Sequence, residues 1–400
     1  MQKAQIPSRI ESIDIFRALT MLLMIFVNSL GHLSGIPDWL GHTSKDGDAM
    51  GLADIVFPFF LFIVGMSIPF AVKSRLKKGE SKGKIIVHVL IRSVALLIMG
   101  VFHENISHIN PQLSGISRPM WQLLVNLSFI LIWNVYPDNK PKFKNVFIGL
   151  RVLGIVSLII LAALFRAGDI NELIFFKPYW WGILGLIGWT YLISTIIYLY
   201  SKQSLTVITL AFLVFAAYNV LSHAGLIILP SPFNSWFSFF GRGAFASLSL
   251  GGVMASLIYI WAKENNRLQQ FFIIMLSISV LMFIAGSYTR QFWGIAKLGE
   301  TPAWVFFSLA AAYSSFSLLF WVTDVKGYKK IFKIVRPAGT STLLCYIIPY
   351  LYESILELTG LALPHFFNFG IIGLIKTAII SLLIVMFTGL LERMGIKMKL

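Results

Sequence analysis

The chain has 400 residues, of which 57% are hydrophobic and only 12% charged, and its formal net charge is +16. Soluble globular chains carry about 25% charged residues, so composition and a mean hydropathy of +0.79 exclude a water-soluble fold. The long continuous apolar runs also exclude a transmembrane barrel, which shows short alternating segments. Of the 33 Lys and Arg, 22 fall in alternate loops assigned to one face, 7 in the opposite loops and 4 within helices. That is the positive-inside pattern, so the basic balance reports topology and no nucleic-acid partner is expected. The expectation is an all-α polytopic membrane protein with about 12 transmembrane helices, both termini cytoplasmic, residues 1–400 forming a single transmembrane domain in the lipid bilayer.

In chain order, residues 1–12 form a short basic start, followed by helices near 13–32 and 52–72. The segment from Lys73 to Lys84 carries six Lys and Arg, the strongest inner-face marker, and it places His42 outside. Further helices are predicted near 85–103, 119–136, 147–165, 179–200, 205–225, 243–262, 270–287, 303–322, 338–355 and 369–390. A second basic inner loop (324–336) and the basic C-terminal residues agree with this topology. The weakly charged loops between 166 and 240 leave open whether a helix pair there spans or lies re-entrant. No cleavable signal peptide is expected, because Asp14 and Arg17 lie inside the first apolar run and no small-x-small exit follows.

The stretch from Asp14 to Pro69 organises the rest, because it carries Asp14, Arg17, Asn28 and Asp54 within or at the ends of two apolar runs. An ionisable group at membrane depth costs roughly 3 kcal/mol on insertion scales, so this hairpin reads as built around a polar site. His42, between the runs, can accept a proton near neutral pH or act as a nucleophile; the alternative is a solvated turn. Asp54 opens the second helix, where a carboxylate suits the helix N-terminus. Asn28 can hold a carbonyl oxygen or simply bond a neighbouring helix. Asp14 and Arg17, three apart, can pair with each other. Arg92 suits a phosphate or snorkels; Arg118 and Gln122 open the fourth helix around Pro119. After Arg336, the segment Pro337 to Thr342 reads as a phosphate cradle or an ordinary helix start. Gly251, Gly252 and the small residues before them favour close helix packing, and such a face would also allow a homodimer. The single cysteine, Cys345, rules out an internal disulfide, and no His pair stands at ligand spacing, so no metal site is expected.

The pattern Arg9-x-x-Ser12-Ile13-Asp14-x-Phe16-Arg17, the run to Asn28, then His42, then Ala53-Asp54-Ile55-Val56-Phe57-Pro58-Phe59-Phe60 with Gly65 and Ser67 resembles the transmembrane heparan-α-glucosaminide N-acetyltransferase family and its DUF5009-type bacterial members. Weaker similarity continues at Arg92-Ser93, Pro119-Met120-Trp121-Gln122, Val325-Lys326-Gly327 and Pro337-Ala338-Gly339-x-Ser341. The resemblance implies transfer of an acetyl group from cytoplasmic acetyl-CoA to an amino sugar or glycan acceptor across a bacterial inner membrane. It implies His42, Asn28 and Asp54 as catalytic residues. Asp14, Arg17, Arg92, Arg118, Gln122, Arg336 and Ser341 are then the expected acetyl-CoA contacts. The intervals on either side of His42 are longer by two or three residues than in that family, which leaves His32 as the alternative imidazole. Helices 6 and 7, about 170–230, look like an insertion. The rival reading is a secondary transporter or flippase, since twelve helices with both ends inside is also a transporter layout.

Overall fold

The computed structural model describes residues 11–44, 47–137, 141–228 and 238–400. The basic start with Arg9, part of the 137–145 loop and most of the stretch before Arg242 lie outside the described residues. Among the described residues twelve helices of sixteen residues or more follow one another: α1 Glu11–Asn28, α2 Leu52–Lys77, α3 Lys82–Asn105, α4 Arg118–Trp133, α5 Lys144–Leu164, α6 Ile183–Tyr200, α7 Leu205–His223, α8 Ala244–Glu264, α9 Leu268–Trp293, α10 Pro302–Phe320, α11 Thr342–Thr359 and α12 Gly370–Arg393. Each lies on an apolar run read from the sequence.

Ten helices among the described residues are long and apolar enough to cross a membrane, which makes the chain an all-α polytopic membrane protein. The two that fall short of the expected twelve are α4 and α11. At 1.5 Å per residue the 16 residues of α4 reach only ~24 Å, against a hydrocarbon core of ~30 Å. α11 has 18 residues, an internal Pro349 and two carboxylates, Glu353 and Glu357, in its second half. α4 and α11 pack on each other, while the second half of α11, Glu357 included, stays largely exposed. Between 166 and 240 both α6 and α7 meet the length and apolarity of a span. The loop before α6 holds a two-residue hairpin, Ala167–Gly168 with Leu173–Ile174, that the sequence did not announce.

α8 is the axis of the bundle: its whole apolar window is buried. It can sit there because it is nearly side-chain-free where it crosses α2. A Cβ at Gly252 would collide with the Phe62 carbonyl, and one at Gly65 with the Ser249 carbonyl. The backbones therefore meet directly, and Ser256 Oγ donates to the Met66 carbonyl at 2.7 Å across the crossing. Tyr313 on α10 donates to the Gly251 carbonyl at 2.8 Å. Buried small residues driving close approach is how helices associate where the hydrophobic effect no longer discriminates. The small-residue face is thus consumed inside one chain, and it is not available to a second copy.

Two apolar clusters flank this axis. One gathers α2, α7, α8, α9 and α10 around Phe62, Trp304 and Phe316. The other gathers α1, α3, α4, α5, α11 and α12 around Trp121, Phe129 and Ile347. α1 feeds both, with Phe16 on one side and Met21 and Ile25 on the other. Its two ends are where the polar groups collect.

Candidate functional site

The first collection sits beyond the far end of α1. The chain leaves α1 through a 3₁₀ turn, Ser29–His32, and α2 begins after its N-cap, Gly51. Asp54, the third helical residue, bends its carboxylate back over that terminus. Its Oδ2 accepts from the Gly51 amide at 3.1 Å and from the Thr43 amide at 3.1 Å. Its Oδ1 meets His42 Nδ1 at 2.7 Å. A carboxylate that accepts two amide protons is held ionised, so Nδ1 carries the proton and donates it. The hydrogen bond thereby fixes the tautomer and leaves Nε2 with its lone pair. Asp54 is 2% exposed while the His42 side chain is 53% exposed, so the anchor is buried and the imidazole faces outward.

A second loop closes on the first. Lys297, from the 294–301 connector, brings its Nζ within 3.9 Å of Asp54 Oδ1 and 3.3 Å of His42 Nδ1. Two donors cannot bond each other, so the ammonium is held by the carboxylate and only abuts the ring. Burial pushes the Lys297 ammonium below the usual lysine range, and the Asp54 charge offsets part of that. Asp48 fixes the same two loops together: Arg290 Nε donates to both of its carboxylate oxygens at 3.0 Å, and the Ile295 amide donates to Oδ1 at 2.8 Å. The Arg290 guanidinium holds the Asp48 carboxyl below its ordinary range. Trp304 Nε1 donates to the Asp54 carbonyl at 3.1 Å, tying α10 to the start of α2.

Asn28 stands elsewhere on the same end of the bundle. It lines a cavity of about 270 Å³ between α1 and α11, with Ser29, His32, Tyr346, Tyr350 and Glu353. Arg118 and Gln122, expected beside the donor, fall against this cavity: Gln122 Nε2 donates to the Tyr350 carbonyl at 2.9 Å, and Arg118 is an electrostatic neighbour of Glu353. His42 lines neither this cavity nor the next.

At the opposite end, where α1 begins, lies a cavity of about 390 Å³ whose walls include Asp14, Lys329, Lys330, Lys333 and Arg336. Lys329 Nζ is paired with Glu11 at 3.0 Å, which raises its pKa; Lys330, Lys333 and Arg336 add three more cations. Arg17 is one turn further in and is spent on ties: Nη1 donates to Asp14 Oδ1 at 3.0 Å and Nη2 to Ser67 Oγ at 2.7 Å. The expected pairing of Asp14 with Arg17 is therefore present. Gly339 packs against the Asp14 carbonyl, and Ser341 is buried at the start of α11. Arg92 is apart from this group, with its guanidinium 4.9 Å from the Tyr191 ring centroid.

Sequence reasoning did not single out Lys297, Glu353, Tyr346 or Tyr350. The signal for Glu353 was present, since a carboxylate within an apolar run marks function by default. Lys297 gave none, because nothing local ties residue 297 to residues 42 and 54.

A polytopic helical bundle with an Asp-anchored histidine at one end and a basic cavity at the other is thus the class of protein defined by fold and site. The family described as "Domain of unknown function (DUF5009)" matches residues 9–236, more than half of the chain, and the chain belongs to that family. It is also similar to heparan-alpha-glucosaminide N-acetyltransferase from Homo sapiens, at 37% identity over 100 residues, 25% of this chain and 14% of that protein. The Mus musculus protein of the same name is 39% identical over 98 residues, 24% of this chain and 14% of its own. The matched stretch is about a seventh of those relatives' length.

Proposed function

We propose that this chain is a single-domain transmembrane acetyltransferase that moves an acetyl group from acetyl-CoA to the amine of a glucosamine-type sugar. The observation that carries the reading is the His42–Asp54 pair at 2.7 Å, in a chain similar to an N-acetyltransferase. His42 Nε2 takes a proton from the acceptor amine as its nitrogen attacks the thioester carbonyl. The C–N bond forms, the C–S bond breaks, and the sulfur leaves as a thiol with the proton returned by the imidazolium. In the covalent variant Nε2 itself attacks and carries the acetyl group transiently. Asp54 stabilises the imidazolium in either case.

The basic cavity suits the donor. Acetyl-CoA is an anion of several charges made in the cytoplasm, and Lys329, Lys330, Lys333 and Arg336 offer matching charge beside α1. From Asp14 to Asn28 is fourteen residues, or ~21 Å along the axis of α1, a span suited to the long thin pantetheine arm. On this reading the start of α1 faces the cytoplasm of a bacterial cell, both termini lie on the cytoplasmic side of the inner membrane and the acceptor is outside. Purified protein in nanodiscs with labelled acetyl-CoA and glucosamine tests the reading: N-acetylated sugar is expected. Absence of both product and CoA binding overturns it.

A further inference from the structure

The 270 Å³ cavity between α1 and α11 is lined by three polar side chains with no hydrogen-bond or ion-pair partner among the described residues, Asn28 and His32 exposed and Glu353 half-buried. Glu353 is the most telling. A carboxylate on a helix of an apolar bundle normally finds a cation, yet Arg118 and His32 act on it only as more distant charges, and Glu357 adds a repulsive one. An ionisable group kept inside a bundle and opening on a cavity marks a ligand site by default. The other walls supply two aromatic rings, Tyr346 and Tyr350, with centroids 5.5 Å apart. Their hydroxyls meet at 3.1 Å, so the pair is braced as one surface.

The chemistry selects the occupant. Among the described residues no Lys or Arg lines this cavity, whereas four line the one at the start of α1, so an anionic nucleotide belongs there and not here. A carboxylate, an amide, an imidazole and two aromatic rings suit a ring with an ammonium group, several hydroxyls and an apolar face. The volume lies just below the ~300–1,000 Å³ typical of drug-sized ligands, room for one sugar ring. We propose that this cavity holds the amino-sugar ring of the acceptor ahead of transfer, with Glu353 as counter-ion of its ammonium and Tyr346 and Tyr350 against its apolar face; the amine leaves Glu353 for His42, outside the cavity, in the transfer step. The assignment rests on the acetyltransferase reading for its biological sense, but binding can be measured without turnover.

The test uses full-length protein in nanodiscs with glucosamine and glucose as probes, read by saturation-transfer NMR without donor, and in parallel by transfer kinetics. Glucosamine is expected to bind at least about tenfold more tightly than glucose, and Glu353→Gln to abolish that preference. The same variant should raise the glucosamine KM about tenfold and leave the acetyl-CoA KM within about twofold. Ser29→Leu, which narrows the cavity without touching a charge, should weaken both sugars together. Equal binding of the two sugars by wild type, or full glucosamine affinity in Glu353→Gln, overturns the assignment. If Glu353→Gln fails to fold, the wild-type preference and Ser29→Leu decide alone. Amine-selective binding with no acetyl transfer removes the enzymatic reading and leaves the cavity; transfer indifferent to Glu353 does the reverse.

Discussion

Asp54 and His42 share a 2.7 Å hydrogen bond in which the buried partner is also the helix cap. The carboxylate that fixes the imidazole is the one that takes the Gly51 amide at the start of α2. Fold and chemistry therefore depend on the same two oxygens, and changes at either residue separate the two roles.

His42→Ala removes only the outward-facing ring, so the fold should persist while transfer falls by about 10²–10⁴, the usual worth of a positioned acid–base group. His32→Ala should instead act on acceptor KM, because His32 lines the cavity assigned to the sugar. Steady-state kinetics of both variants check this; the reverse pattern moves the reactive role to His32.

Asp54→Asn keeps the volume but its amide nitrogen cannot accept an amide proton. With the amide nitrogen at the Oδ1 position the bond accepted from His42 is lost, and with it at the Oδ2 position both bonds accepted from Thr43 and Gly51 are lost. A drop in kcat accompanied by ~1–3 kcal/mol of lost stability is expected, with the kcat loss exceeding what the thermal shift explains. Unchanged turnover in a destabilised variant would confine Asp54 to capping.

Lys330→Glu with Lys333→Glu should weaken CoA binding and raise donor KM at least about tenfold, with the effect shrinking as salt rises through the Debye regime. Titration of CoA at two ionic strengths measures it. Donor affinity indifferent to both charge and salt would place the nucleotide elsewhere.

Glu300 sits in the connector that delivers Lys297. Burial pushes its carboxyl from an ordinary 4.5 up to about 7, with Arg242 opposing. Between those values the native state holds a proton that the unfolded chain has released. Stability from this group is therefore full below pH 4.5 and is lost as pH rises through 7, by ~3 kcal/mol in all. Glu300→Gln should flatten the decline in Tm between pH 5 and pH 8; parallel profiles for wild type and variant would refute the assignment.

Gly252→Val puts side-chain atoms into the Phe62 carbonyl. Overpacking commonly costs 1–3 kcal/mol, and here the obstacle is backbone that cannot turn aside, so loss of monodisperse protein is expected. Fluorescence-detected size exclusion reads it directly, and a stable Gly252→Val would mean that α2 and α8 part more readily than their contact implies.

Much of this molecule is legible in one dimension. Apolar runs long enough to span lipid dictate helices wherever they occur, since in hydrocarbon the backbone must satisfy its own hydrogen bonds. The long helices of the described residues accordingly fall on or close to the apolar runs. The Asp14–Arg17 pair and the Asp54 cap are also local, set by spacing of three on one helix. The partner of His42 was a matter of choosing among nearby acids. Tertiary structure alone decided that Lys297 would reach it from 255 residues away, that Arg92 would leave the basic group for Tyr191, and that Arg118 and Gln122 would serve the other cavity. The reason is physical: hydropathy specifies that a helix crosses, but which face meets which neighbour depends on packing of small residues such as Gly65 and Gly252, and that complementarity exists only between segments far apart in the chain.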